Sequence, residues 1–154
     1  MDHIITYGEF FDSGLPVSDD ITPAEVEMAI KTVEEYEMKP YLTNAKWNDI
    51  LTNPTQYEGI IEGDENCAGL KQSALHLVFA YLLFDRIRLT RYSTVIKNDE
   101  HSSDPSVGDL MQVCGMHAEV GIRFLYDVGY LLEEADEHYK VGKRNGFIYS
   151  ELGW

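Results

Sequence analysis

The chain predicts an all-α protein: a helical bundle of about three long and two short helices, with a small extended, β-like arm at about residues 89–98. Three observations carry this. Apolar side chains in the long segments recur every three or four residues. TPAE, Thr22 to Glu25, is a helix start of unusual completeness, with Thr22 as N-cap, Pro23 at the first helical position and Glu25 three after the cap. Only one long stretch, RLTRYSTVIKNDEHSSD from Arg88 to Asp104, breaks the helical period.

Residues 1–21 read as an ordered but irregular lead-in, with Ile4, Ile5, Phe10, Phe11, Leu15 and Ile21 apolar and Gly14, Pro16, Ser18, Asp19 and Asp20 supplying turns. The first long helix follows from Thr22 to about Met38, where Pro40 is expected to stop it. Val26, Ala29, Ile30, Val33 and Tyr36 form its apolar stripe, and its glutamates form the rest. Two short helices come next. One spans Asn44 to Leu51 with Trp47, Ile50 and Leu51; the other lies between the breaker Asn53-Pro54 and Gly63. From about Glu65 to Thr90 the apolar residues cover most of the helix circumference, as expected of a central helix. Thr, Tyr, Val and Ile content then suggests the arm, and residues 98–106 a charged connector. A last helix is expected from Pro105 to Tyr139, about 50 Å long at 1.5 Å per residue.

With 154 residues and 44% hydrophobic content the chain can build one core without disulfide or metal support. The expected organisation is a single helical domain, residues 1–140, with an inserted arm at 89–104 and a C-terminal docking tail at 141–154. Cys67 and Cys114 have no CxxC spacing and are expected to be reduced, buried small residues. MDHIITYGEFF has no basic region and no apolar run of signal length, and no segment holds 18 consecutive apolar residues, so a soluble intracellular site of synthesis is expected. The net charge of −15, from 27 acidic and 12 basic residues, repels phosphate backbones and anionic lipid surfaces. Gripping of nucleic acid is disfavoured, although a channel through which DNA slides gains from a wall that does not hold it.

Catalytic constellations are hard to find. A di-iron bundle needs Glu three before His, but Ser73, Cys114 and Ala135 precede His76, His117 and His138. HExxH, zinc-type Cys/His clusters, GxxxxGK[ST] and GxSxG are absent. His76 and His117 are expected to be satisfied interior or interface residues. The acidic pairs Glu34-x-x-Glu37, Glu62-x-x-Glu65 and Glu133-x-x-Asp136 look like the ExxE and ExxD pairs of all-helical nucleotide pyrophosphohydrolases, since residues i and i+3 share a helix face and offer hard oxygen ligands to Mg²⁺. Gly63 falls inside one pair and the third lies far along the chain. Chance pairs on solvated faces are therefore the expectation, with no metal and no other cofactor.

The order of elements carries a resemblance. An IIT lead-in and a turn precede the capped helix ITPAEVEMAIKTVEEYEMKPYL, with Ile30, Glu34, Tyr36, Pro40 and Leu42. The WNDIL helix, a connection with Gln56 and Tyr57, the apolar helix GLKQSALHLVFAYLLFDRIRL, the segment TRYSTVIKNDEHSS and a final helix with FLYDVGYLL follow. Over residues 4–133 this resembles the head-tail connector, or adaptor, proteins of tailed bacteriophages. Locally, Thr90, Val95, Lys97 and Ser102 match the family's threonine, aromatic, glycine, valine and lysine stretch ahead of a serine. Ser93 stands where glycine is common, so the turn there is expected to differ.

The resemblance implies a virion protein assembled in the host cytoplasm, non-catalytic and without a membrane. It implies a homo-oligomeric ring, usually of twelve copies, under the portal protein and above other ring or tail proteins, with DNA passing through the lumen. The residues suggest how such a ring closes. An extended arm with unpaired backbone groups can pair with a neighbouring subunit, giving the head-to-tail contact a cyclic ring needs. Thr90, Tyr92, Val95, Ile96 and Lys97 are the candidate arm residues, and Phe147, Ile148, Tyr149, Leu152 and Trp154 the candidate docking tail. Acidic side chains are expected along part of the lumen. The alternatives are a Mg²⁺-dependent hydrolase using Glu34, Glu37, Glu62 and Glu65, and an unrelated acidic interaction adaptor.

Overall fold

A computed structural model of the chain describes residues 1–92 and 107–143, with side chains at all of them except 86–92 and 107. Among the described residues every regular element is helical: α1 (Tyr7–Asp12), α2 (Pro23–Val33), a π-helical turn (Glu34–Met38), α3 (Lys39–Leu42), α4 (Asn44–Thr52), α5 (Glu58–Glu62), α6 (Gly69–Tyr92) and α7 (Val107–Ala135). The all-α class expected from periodicity is what the chain adopts.

The lead-in is more regular than expected. Thr6 and Glu9 form a capping box, with the Thr6 N–H donating to Glu9 Oε2 at 2.8 Å and the Glu9 N–H to Thr6 Oγ1 at 3.2 Å, and α1 grows from it. The Thr22–Glu25 box opens α2 in the same way.

Pro40 does not end the first long helix. A proline inside an α-helix lacks the N–H for the ladder, and its ring crowds the carbonyl four residues back. Here the turn just before it widens, so that the Lys39 N–H reaches the Glu34 carbonyl, five residues earlier. The one-residue slip accommodates the ring, and α2, the π turn and α3 form one rod to Leu42. Thr43, at φ +67°, breaks the rod and caps α4 by accepting from the Lys46 N–H.

The central helix also outruns its expected end. α6 continues through Tyr92, so Thr90 and Tyr92 have helical rather than extended backbone. Each residue added to an existing helix gains a ladder bond without a new nucleus, which outweighs the weak local preference of Thr and Tyr for strand. Val95, Ile96 and Lys97 lie outside the described residues. α7 stops at Ala135, short of the expected Tyr139, at a turn in which the Asp136 carboxylate accepts from the His138 N–H at 3.0 Å.

α6 and α7 run antiparallel and dominate the packing. Three rungs record their register. Ser73 Oγ donates to the Gly121 carbonyl at 2.7 Å, His76 meets His117, and Cys114 Sγ lies 3.2 Å from the Ala80 carbonyl. α2 and α5 pack on other faces of α6, which explains why α6 is apolar nearly all round whereas α7 keeps one wet side. Both cysteines are buried and unbridged, and burial pushes the Cys114 thiol up to about 11.

After α7 the chain folds back onto the end of the first rod. The Gly142 N–H donates to the Tyr41 carbonyl at 2.7 Å, and the buried Tyr139 hydroxyl donates to the Leu42 carbonyl at 2.9 Å. Lys46 lies 4.8 Å above the Tyr139 ring, a cation–π contact. Tyr139→Phe keeps the ring and strands a buried carbonyl. We expect a loss of about 1 kcal/mol in chemical denaturation; unchanged stability would show that the hydroxyl is not what holds this segment.

Candidate functional site

The acidic pairs are the first test of chemistry. Glu34 and Glu37 are not on a solvated face: their exposures are 6% and 4%, because they follow the buried Ile30 by four and seven residues and share its side of the rod. Glu34 Oε1 accepts from the Ile4 N–H at 2.7 Å, and Oε2 lies 2.6 Å from His3 Nδ1. Burial pushes the Glu34 carboxyl above its usual range, and the contacts with His3 and Ile4 pull partly the other way. The side chain thus works as an anchor for the buried Ile4 and Ile5.

The other pairs are also structural. Glu62 and Glu9 both hold Lys71, at 2.6 and 2.7 Å, tying α5 and α1 to α6, while Glu65 is exposed. Glu133 Oε1 accepts from the Val141 N–H at 2.8 Å, and Asp136 closes the turn after α7. Among the described residues no group of three or more His, Cys, Asp or Glu side chains is placed to hold a metal ion. Glu34, Glu37, Glu62 and Glu65 are therefore not brought together as a metal site.

What the fold does present is a long antiparallel hairpin, α6 against α7, with a further stretch of chain joined at each end. At the far end α6 finishes at Tyr92 and α7 begins at Val107, so residues 93–106 join there. At the near end Gly129 of α7 packs against Tyr41 and Val141, and the chain continues past Lys143 from beside the first rod. Gly69 to Tyr92 is 24 residues, or about 35 Å of helix, and this separates the two attachment points along the hairpin. The tail residues Phe147, Ile148, Tyr149, Leu152 and Trp154 lie outside the described residues, as do Val95, Ile96 and Lys97.

Sequence reasoning missed a further set of surface side chains. Val113, Met116, Tyr126 and Tyr130 are exposed along α7, and Met28 and Tyr36 are 67% and 66% exposed on the first rod. Tyr36 was expected on the apolar stripe of its helix; it lies at the edge of that stripe and faces outwards, while Glu37, seven residues after the buried Ile30, takes the core side. The wet side of α7 could have been found by marking the positions left over once Cys114, Ala118, Leu125, Val128 and Leu132 are assigned to the core.

Among the described residues no helix is long and apolar enough to cross a membrane. No protein-family model, curated protein or solved structure matches the chain.

Proposed function

We propose that the chain is a structural adaptor of the head-tail connector kind: a ring-forming, non-catalytic protein that contacts a portal on one side and another ring or tail component on the other. The observation that carries this reading is that the described chain leaves one end of the hairpin at Tyr92, re-enters it at Val107, and runs on past Lys143 from the other end, with about 35 Å of helix between the two ends. A connector has to touch something above and something below, and must not change length between them. The arm, now beginning after Tyr92, is the element that reaches a neighbouring copy, and the tail beyond Lys143 is the element that docks on a partner.

Charge supports the same reading. At −15 the subunit suits a wall past which DNA slides, and we expect acidic side chains along part of the lumen. The hydrolase alternative gains nothing, because its four glutamates split into a buried pair and an exposed pair.

Negative-stain images of the purified protein, alone and mixed with portal rings, test the proposal. Rings of regular subunit number, or an added layer beneath the portal, are expected. A monomer that joins no virion structure overturns it.

A further inference from the structure

The middle rung of the α6–α7 hairpin is made of two imidazoles. His76 Nδ1 and His117 Nδ1 are 2.8 Å apart, with the rings stacked at 5.1 Å between centroids. Phe79 lies 4.5 Å from His117 and Phe124 5.8 Å from His76, so the pair sits in a largely apolar seam.

Hydrogen-bond arithmetic limits the protons this rung can hold. One ring must donate its Nδ1–H to the bare Nδ1 of the other. A first added proton goes to the far nitrogen of the donor ring and leaves the bond in place, now charge-assisted. A second must go to the accepting Nδ1. Two N–H groups then oppose each other across 2.8 Å, and two positive charges share one apolar seam.

We propose that His76 and His117 form a proton-operated latch between α6 and α7, closed while the pair carries at most one added proton and forced apart when both rings are protonated.

Both rings are half-buried, so water reaches them in part, but the described residues offer no counter-charge for the second proton. On α7, Glu119 and Arg123 point to solvent, and on α2 so do Glu25, Glu27 and Lys31. Glu9 of α1 and Glu62 of α5 are taken by Lys71. The segment over Phe79 and Leu82 brings Asp20, which is hydrogen-bonded by Ser18. Among the described residues no ion pair reaches either imidazole, and His76 feels no titratable neighbour except His117.

Burial lowers the affinity of both rings for protons, and His117 lowers that of His76 further. The sign follows from linkage. Unfolded histidines titrate at about 6.5 and these two lower, so the rung contributes fully above that value and its contribution is lost as pH falls below it. The rungs on either side, Ser73 with Gly121 and Cys114 with Ala80, carry no charge at neutral pH. Acid therefore loosens the hairpin first at its centre, and with it the end where residues 93–106 attach.

Two measurements test the latch. In a histidine-selective NMR titration of the intact chain, the His76 and His117 signals should titrate in two separated steps, both below about 6.5. Independent titration of both at or above that value overturns the proposal. Hydrogen exchange of α6 and α7 amides, corrected for intrinsic rates, should show opening that rises below the same point by about tenfold per pH unit for each proton taken up on opening, up to about a hundredfold for two. His117→Asn should flatten that rise; an equal rise in the variant also overturns it.

Discussion

Glu34→Ala is expected to cost about 3 kcal/mol at neutral pH, because it leaves the buried Ile4 N–H without its acceptor and opens a hole beside His3. Glu34→Gln should behave quite differently. Its carbonyl oxygen can still accept from Ile4, and its amide can donate to the bare nitrogen of a neutral His3, so stability at pH 7 should stay within about 1 kcal/mol of the parent. The pH dependence has a definite sign. A carboxyl whose folded proton affinity is raised stabilises the fold most when protonated, and that contribution is lost as pH rises through its folded pKa. The glutamine variant should thus compare best with the parent at neutral pH and lose that advantage towards acid. Urea titrations of the three proteins across pH would check this. An alanine variant as stable as the parent would mean that the Ile4 and Ile5 anchor holds without Glu34.

Gly121→Val should be comparably damaging, by about 3 kcal/mol. A Cβ at this position would stand 2.7 Å from Leu77 Cγ and 3.1 Å from the Leu77 backbone nitrogen. Leu77 is fully buried, so relief has to come from separating the helices. That separation would also strain the 2.7 Å bond from Ser73 to the Gly121 carbonyl and the imidazole rung one turn away. Gly121→Ala gains about 1 kcal/mol of helix propensity and pays only for the first clash, so it should fall between parent and valine variant. An alanine variant more stable than the parent would show that the two helices have room to spare.

The frame of this fold was legible in the residues because its signals are local. Thr22-Pro23-Ala24-Glu25 fixes a helix start through its own side chains, and the apolar spacing of α7 survives without knowledge of its neighbours. Thr6-Tyr7-Gly8-Glu9 was equally readable as a capping box and marks α1. Pro40 misled because its effect depends on a register slip in the preceding turn, and nothing in EEYEM announces a π turn. Glu34 and Glu37 follow the buried Ile30 by four and seven residues and so share its side of the rod; they were misplaced because their charge was taken as a sign of a solvated face. The end of α6 was misplaced because Thr90 and Tyr92 prefer strand weakly, while an existing helix extends at little cost. For the candidate site, Glu62, Glu133 and Asp136 turn out to hold Lys71, the Val141 N–H and the turn after α7, contacts that the sequence spacing does not reveal. The meeting of His76 with His117 could not be read at all, because it depends on the antiparallel register of two helices 41 residues apart.

The return of the C-terminal segment onto Tyr41 and Leu42 has a consequence for biogenesis. Tyr139 meets a carbonyl 97 residues earlier in the chain, so a nascent polypeptide carrying the first rod and α4 has to wait for its seal. At typical synthesis rates of about 5–20 residues per second, the wait is on the order of ten seconds. Throughout it the Tyr41 and Leu42 carbonyls and the strained Thr43 corner stand open to water and to chaperones. Closure of that corner is a late, post-emergence event, and a chain released before Gly142 would carry every long helix yet lack the contact that locks the first to the last.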